Sequence, residues 1–165
     1  MAMSKYNILV PIEYSDISVK AIEEALVQAN AKNGTLSLFR VGDTKMLGKF
    51  GRRDTLTKAL DAALDEMDKM LRAAIINVAK RQPIDLDRIG LIHKRFATGT
   101  PESEILKMAS NISSQSVILG MSTSLDEDYE KGKSVFHGDF VGGLATKVPC
   151  DMTLVRTYDE TFVVV

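Results

Sequence analysis

Cysteine is almost missing from this chain: Cys150 is the only one among 165 residues, which excludes an internal disulfide. Only His93 and His137 could join it, too few side chains for a Cys/His zinc site. Such usage suits a reducing compartment. Charge of one sign is also lacking. Formal net charge is −1, so nothing pulls the chain as a whole toward nucleic acid or an anionic membrane, and any polyanion must be held by a local site. Long apolar runs are absent: no window approaches the roughly 20 residues of a membrane span. Met1 to Tyr6 carries no basic stretch leading into an apolar core. The expectation is a cytoplasmic protein without nucleic-acid or membrane partners. With 45% apolar and 26% charged residues, residues 1–165 are expected to form a single domain with a sizeable core.

What is present alternates. Asn7 to Ile12 is a short β-branched run suited to a strand buried on both faces. Ser15 and Asp16 are N-cap residues, and Ala21, Ile22, Ala25, Leu26 and Ala29 then recur at helical spacing until Asn33-Gly34 stops them. Thr35 to Val41 reads as a second strand, followed by a polar loop with Gly48, Gly51, Arg52 and Arg53. Leu56, Leu60, Ala63, Met67, Met70, Ala74 and Val78 predict one long amphipathic helix over 54–81, closed by Pro83, whose stripe is read as sheet-covering rather than as a coiled-coil seam. Leu86 to Phe96 is expected to be strand 3, and Pro101, with Glu102 and Glu104 behind it, opens a helix. Ser116 to Gly120, Gly138 to Val148 and Cys150 to Arg156 complete the pattern as strand, helix and strand. Right-handed crossovers turn this α/β alternation into an open doubly wound five-stranded parallel sheet, Rossmann-like, in order 3-2-1-4-5 with helices on both faces. Ligands of such sheets bind at the carboxyl ends of the strands beside the switch point, here strands 1 and 4.

That geometry directs attention to the loops after Ile12, Val41 and Gly120 and to the start of the last helix. A glycine beside a helix start lets backbone N–H groups approach a phosphate, although glycines after strands are also ordinary turn residues. His93 falls inside strand 3 and receives no role. His137 is a secondary candidate for donating to a ligand, and Ser122, Thr123 and Ser124 form a polar cluster that is either loop or phosphate-binding.

The ordered set NILVPIEYSD, TLSLFRV, TGTPESEILKMA, SVILG and VPCDMTLVR resembles the universal stress protein family over nearly the whole chain. The resemblance implies a regulatory module rather than an enzyme, with no catalytic residue, a homodimer formed through strand 5, and, in one branch of the family, an adenine nucleotide at the switch point. In that branch an aspartate follows the proline of strand 1. After strand 4 comes a glycine, two residues, a second glycine, nine residues, and a glycine followed by serine or threonine. Carried over residue by residue, this implies a nucleotide site of Pro11, Ile12, Glu13, Val41, Gly120, Thr123, Gly138, Asp139 and Phe140. Its ligand would be ATP or AMP, with Mg²⁺ if phosphates lie beside Asp139 and no metal site of its own. Glu13 replaces the aspartate, Thr123 the second glycine and Asp139 the Ser/Thr, and the Gly120-to-Gly138 stretch is longer by about five residues.

These departures have physical weight. A side chain at Thr123 restricts close backbone approach, and an Asp139 carboxylate near a phosphate costs roughly 1 to 4 kcal/mol per charge pair at about 4 Å. Asp139 is read first as a cap of the last helix, and alternatively as a Mg²⁺ bridge. Arg40, Lys131 and Lys133 are candidates to offset charge. The tail at 158–165 ends in Phe162-Val-Val-Val, which should pack on something, and the uncovered edge of strand 5, Met152 to Arg156, invites a second copy of the chain. Two other function classes remain beside the stress module: an interaction scaffold using the long helix, and a small Mg-dependent nucleotide hydrolase.

Overall fold

The computed structural model describes residues 6–42, 52–121, 136 and 138–156. Strand β1 spans Asn7–Pro11, and Ile8, Leu9 and Val10 are fully buried. It pairs in parallel with β2 (Thr35–Gly42) on one side and β4 (Ser116–Gly120) on the other. β3 (Ile92–Thr98) flanks β2, and β5 (Asp151–Val155) flanks β4. The order is β3-β2-β1-β4-β5 with every pairing parallel, as the alternation of the sequence predicts.

Each crossover carries a helix. α1 (Asp16–Lys32) starts where the Ser15 hydroxyl accepts the Ser18 N–H at 3.4 Å and ends at Asn33, whose φ of 51° is the left-handed stop that asparagine tolerates. α2 (Arg52–Arg81) begins two residues before the expected 54. Its buried side chains Ala63, Met67, Met70, Ala74 and Val78 join Ile17, Ala21, Ile22, Ala25, Leu26 and Ala29 of α1 in one cluster against Ile8, Val10, Leu36, Leu38 and Ile118. α3 (Pro101–Asn111) and α4 (Gly138–Ala145) cover the opposite face, where Ile105, Ala109, Val141 and Leu144 pack with Leu9, Phe39, Val117 and Leu119. Successive residues of a strand point to opposite faces, which is why consecutive β1 residues serve two cores.

Two expected ranges change by three residues or more at one end. β3 begins at Ile92, not Leu86, because the Asp85 carboxylate accepts the Asp87 N–H at 3.0 Å and folds Leu86–Arg88 into a 3-10 turn; the strand then runs on to Thr98. α4 stops at Ala145 rather than Val148, since the N–H groups of Lys147 and Val148 both return to the Leu144 carbonyl, at 3.0 and 2.9 Å.

Polar side chains fix the helices and the strand bases. Glu23 of α1 is buried, yet its carboxylate accepts from Arg81 at 2.9 Å and from Asn77 at 3.1 Å, both on the last turns of α2. At the amino ends of the strands the Asn7 N–H donates to Gln115 Oε1 (2.6 Å) and its side-chain amide to the Ile112 carbonyl (2.8 Å), while Thr35 donates to Asn7 Oδ1. No helix among the described residues is long and apolar enough to cross a membrane.

Met67 is fully buried, whereas Ile76 on the same helix is 55% exposed. Met67→Ala is expected to cost about 2–5 kcal/mol and Ile76→Ala about 0.5 kcal/mol or less. Urea unfolding of both variants checks the pair, and equal losses would contradict the packing of α2 described above.

Candidate functional site

The carboxyl ends of β1 and β4 diverge at the switch point, and the chain leaves each of them by a different route. β1 stops at Pro11, after which Ile12 still donates to the Phe39 carbonyl at 2.9 Å and the backbone turns into α1. The Glu13 N–H donates to Ser18 Oγ at 2.9 Å. This bond fixes the turn, and Glu13 is 7% exposed. Its carboxylate then crosses the gap: Oε1 accepts the backbone N–H of Phe136 at 3.2 Å. One side chain thereby ties the loop after β1 to the segment that leads into α4.

Gly120 ends β4, and its bareness has a reason apart from any ligand. A Cβ there would lie 2.6 Å from the Ile17 carbonyl oxygen and 2.8 Å from its carbon, both backbone atoms at the start of α1. Only glycine lets α1 approach β4 so closely. Gly138, the first residue of α4, is the opposite case: a Cβ built on it meets nothing within 4 Å among the described residues. Asp139 beside it is exposed in the first turn, where a carboxylate suits the helix dipole.

The remaining site residues divide by environment. Pro11 and Ile12 are buried, Ile12 within the cluster that faces α1 and α2, so Ile12 reaches the crevice through its backbone only. Val41 and Phe140 are partly buried against the opposite cluster. Phe140 stacks on Phe136 with ring centroids 5.3 Å apart and planes at 18°, a contact within the range that favours aromatic pairs. Ser122, Thr123, Ser124, Lys131, Lys133 and His137, and the 158–165 tail, lie outside the described residues. His93 sits in β3 opposite Ser37.

Several groups at this end of the sheet carry no motif in the sequence. Arg40, near the end of β2, lies over the Tyr14 ring at 4.4 Å from its centroid. Burial raises the Tyr14 phenol above its ordinary range, and the Arg40 charge and hydrogen bond counter that in part. Arg156, just past β5, donates through Nη2 to Met121 Sδ at 3.6 Å, and its Nε is buried without a hydrogen-bond partner among the described residues. Phe136 N–H is a main-chain group, which residue type does not announce. Among the described residues, no group of three or more His, Cys, Asp or Glu side chains is placed to hold a metal ion.

The two glycines predict opposite outcomes. Gly120→Ala should destabilise the protein by about 1–3 kcal/mol, because the backbone of α1 must move. Gly138→Ala should leave stability unchanged or raise it by up to about 1 kcal/mol through helix propensity. Thermal unfolding without added ligand decides this, and a neutral Gly120→Ala would remove the packing role of Gly120.

Comparison with known proteins follows the same lines. No curated protein sequence matches the chain. Among solved structures, universal stress protein UspA from Lactobacillus plantarum superposes with a TM-score of 0.62 at 21% identity, over 94% of this chain and 100% of that one. A universal stress protein in complex with cAMP gives 0.61 at 18% identity, over 94% and 100%. The universal stress protein from Archaeoglobus fulgidus in complex with dAMP gives 0.55 at 13% identity, over 92% and 98%. At such identities these likenesses establish the fold. The model of the universal stress protein family matches residues 6–156, which is most of the chain, and the protein therefore belongs to the universal stress protein family.

Proposed function

We propose that the chain is a regulatory module that binds an adenine nucleotide between the carboxyl ends of β1 and β4, does not turn it over, and presents the bound state to a second copy or to a protein partner. The observation that carries this reading is the bond from Phe136 N–H to Glu13 Oε1 at 3.2 Å. It brings the loop after β1 and the start of α4 to one place, so a ligand there touches both. Two structures of the same fold are those of cAMP and dAMP complexes, and an adenine nucleotide is the ligand class they suggest. Val41 and Phe140 offer apolar surface for a base, Pro11 and Glu13 the floor, and Gly138 an approach to the helix without a side chain. Gly120 supports this arrangement by seating α1. Thr123 and a Mg²⁺ ion beside Asp139 belong to the reading as further ligand contacts.

The second copy is proposed to pair along β5. The two edges of the sheet differ: β3 carries Lys94 and Arg95, and Lys94 reaches Asp68 at 3.3 Å, whereas β5 reads Asp151-Met-Thr-Leu-Val with one charge. Charged side chains blunt an edge against pairing, and a short apolar edge invites it. The Phe162-to-Val165 tail is proposed to complete that contact, and a single domain over 1–165 in the cytoplasm completes the reading. A second function is favoured by one observation: Leu56 and Leu60 on α2 are 46% and 38% exposed at a spacing that puts them on one face. That patch suits a protein-interaction scaffold.

Thermal unfolding with ATP, ADP, AMP or cAMP, each with and without Mg²⁺, tests the nucleotide. A ligand at a hundredfold excess over its Kd stabilises the native state by about 2.7 kcal/mol, or roughly 5–10 °C for a chain of this size. A shift with adenine nucleotides and none with guanine nucleotides is expected. No shift with any of them would leave the scaffold function, and steady phosphate release from the same samples would replace the module with a hydrolase.

A further inference from the structure

Outside the helices, glycine stands at several positions where no other residue fits. A Cβ on Gly34 would lie 2.5 Å from the Tyr6 carbonyl oxygen and one on Gly120 2.6 Å from the Ile17 carbonyl oxygen, while Gly99 has a φ of 146°. Each is required by a close backbone contact or by its own conformation. α4 differs. Gly138, Gly142 and Gly143 make up three of its eight residues, whereas α1, α2 and α3 contain no glycine. Among the described residues a Cβ on Gly142 meets nothing within 4 Å, and one on Gly143 makes an ordinary contact of 3.7 Å with Glu102 Oε2. Neither residue has a positive φ. Alanine fits at both, so neither packing nor backbone conformation calls for glycine in the middle of this helix.

The consequence falls on α4 alone. An interior glycine lowers the helix equilibrium about fivefold relative to alanine, and two lower it about 25-fold. Eight residues also fall short of the roughly 12–15 below which a helix is marginal without tertiary support. That support is narrow here: Val141 and Leu144 are the buried side chains of α4, against eight buried residues in α1. The last turn of α4 carries no basic side chain to meet its carbonyl end. Low helix propensity combined with few apolar anchors characterises an element that opens on its own, ahead of the domain.

We propose that α4 is a conditionally closed helix, which opens and recloses as a unit while the sheet and α1 to α3 stay folded. Asp139 and Phe140 both lie on it, so opening removes two residues of the candidate site together and parts Phe140 from the Phe136 ring. Val141 and Leu144 share their buried cluster with Met152 and Leu154 of β5, so the same event takes apolar neighbours from the edge strand. The device acts at the crevice and at the sheet edge at once. It goes beyond the nucleotide reading, because it operates with no ligand present.

Hydrogen exchange of the full chain without ligand, followed by mass spectrometry of short overlapping peptides at increasing low urea concentrations and corrected for intrinsic rates, tests it. The first amides of a helix have no partner within it, so the reading comes from Gly143 to Ala145 and from Lys147 and Val148, whose N–H groups donate to the Leu144 carbonyl. These are expected to exchange at least about 100-fold faster than Ala25 to Ala29 of α1, at a rate that urea leaves unchanged, while the α1 rate climbs with urea as global unfolding does. Replacing both interior glycines, Gly142→Ala with Gly143→Ala, should slow the α4 amides about 25-fold. Exchange in α4 within about threefold of that in α1, or rising with urea at the same slope, would overturn the proposal, because α4 would then open only with the whole domain. Fast exchange that the double substitution leaves unchanged would overturn it as well, since the motion would not be the opening of this helix. Both readings are taken without nucleotide, so neither depends on whether one binds.

Discussion

β1 has no solvent side. Ile8, Leu9 and Val10 are wholly buried, and both edges of the strand are paired in parallel, to β2 and to β4. A strand in that position needs apolar cover above and below, and parallel neighbours can be reached only by crossovers, so helices must form on both faces. α1 and α2 take one face and α3 and α4 the other. Because β2 follows on one side and β4 on the other, the chain reverses direction around β1, and the crevice at its carboxyl end arises from that reversal. The tight seat of α1 on Gly120 belongs to the same constraint: the helix that leaves β1 must cross close to β4.

The two ends of the sheet are finished differently. At the amino ends Asn7, Thr35 and Gln115 hydrogen-bond one another and the Ile112 carbonyl, clasping β1, β2 and β4. At the carboxyl ends the groups are charged, come from separate elements, and include a buried Arg156 Nε without a partner among the described residues. Stability favours mutual satisfaction of buried polar groups, and recognition favours leaving some of that capacity for a ligand. In the proposed reading this contrast singles out the carboxyl end without reference to any motif.

Much of this was legible in the sequence, and the failures have physical causes. Strand order and helix faces followed from short β-branched runs alternating with 3.6-residue periodicity, and Asn33 marked its helix end because few residues accept a left-handed backbone. β3 was misplaced at its start because Leu86 and Leu91 look like strand residues, yet they are 43% and 55% exposed, Leu86 within a capped turn and Leu91 just after it. Within the site, Glu13 and Gly120 could be singled out, but the reason for Gly120 could not. Its constraint is a carbonyl from Ile17, more than a hundred residues away in sequence, and only the fold brings the two together. Phe136 escaped because a backbone N–H belongs to every residue but proline, and Arg156 because its distinction is a buried Nε without a hydrogen-bond partner among the described residues.

In the proposed reading the same packing that places the crevice also connects it to the sheet edge. Phe136, Val141 and Leu144 form one buried cluster, and Met152 and Leu154 of β5 pack against it. Such interiors are close-packed and transmit displacement rather than absorb it. A ligand that draws Glu13 away from the Phe136 N–H changes how the segment before α4 is held, and α4 shares that buried cluster with β5. Through Glu13 a small ligand gains leverage over the edge where a second copy is proposed to pair. A regulatory module needs a difference between liganded and empty states at its surface, and no bond in the ligand has to break for that difference to arise.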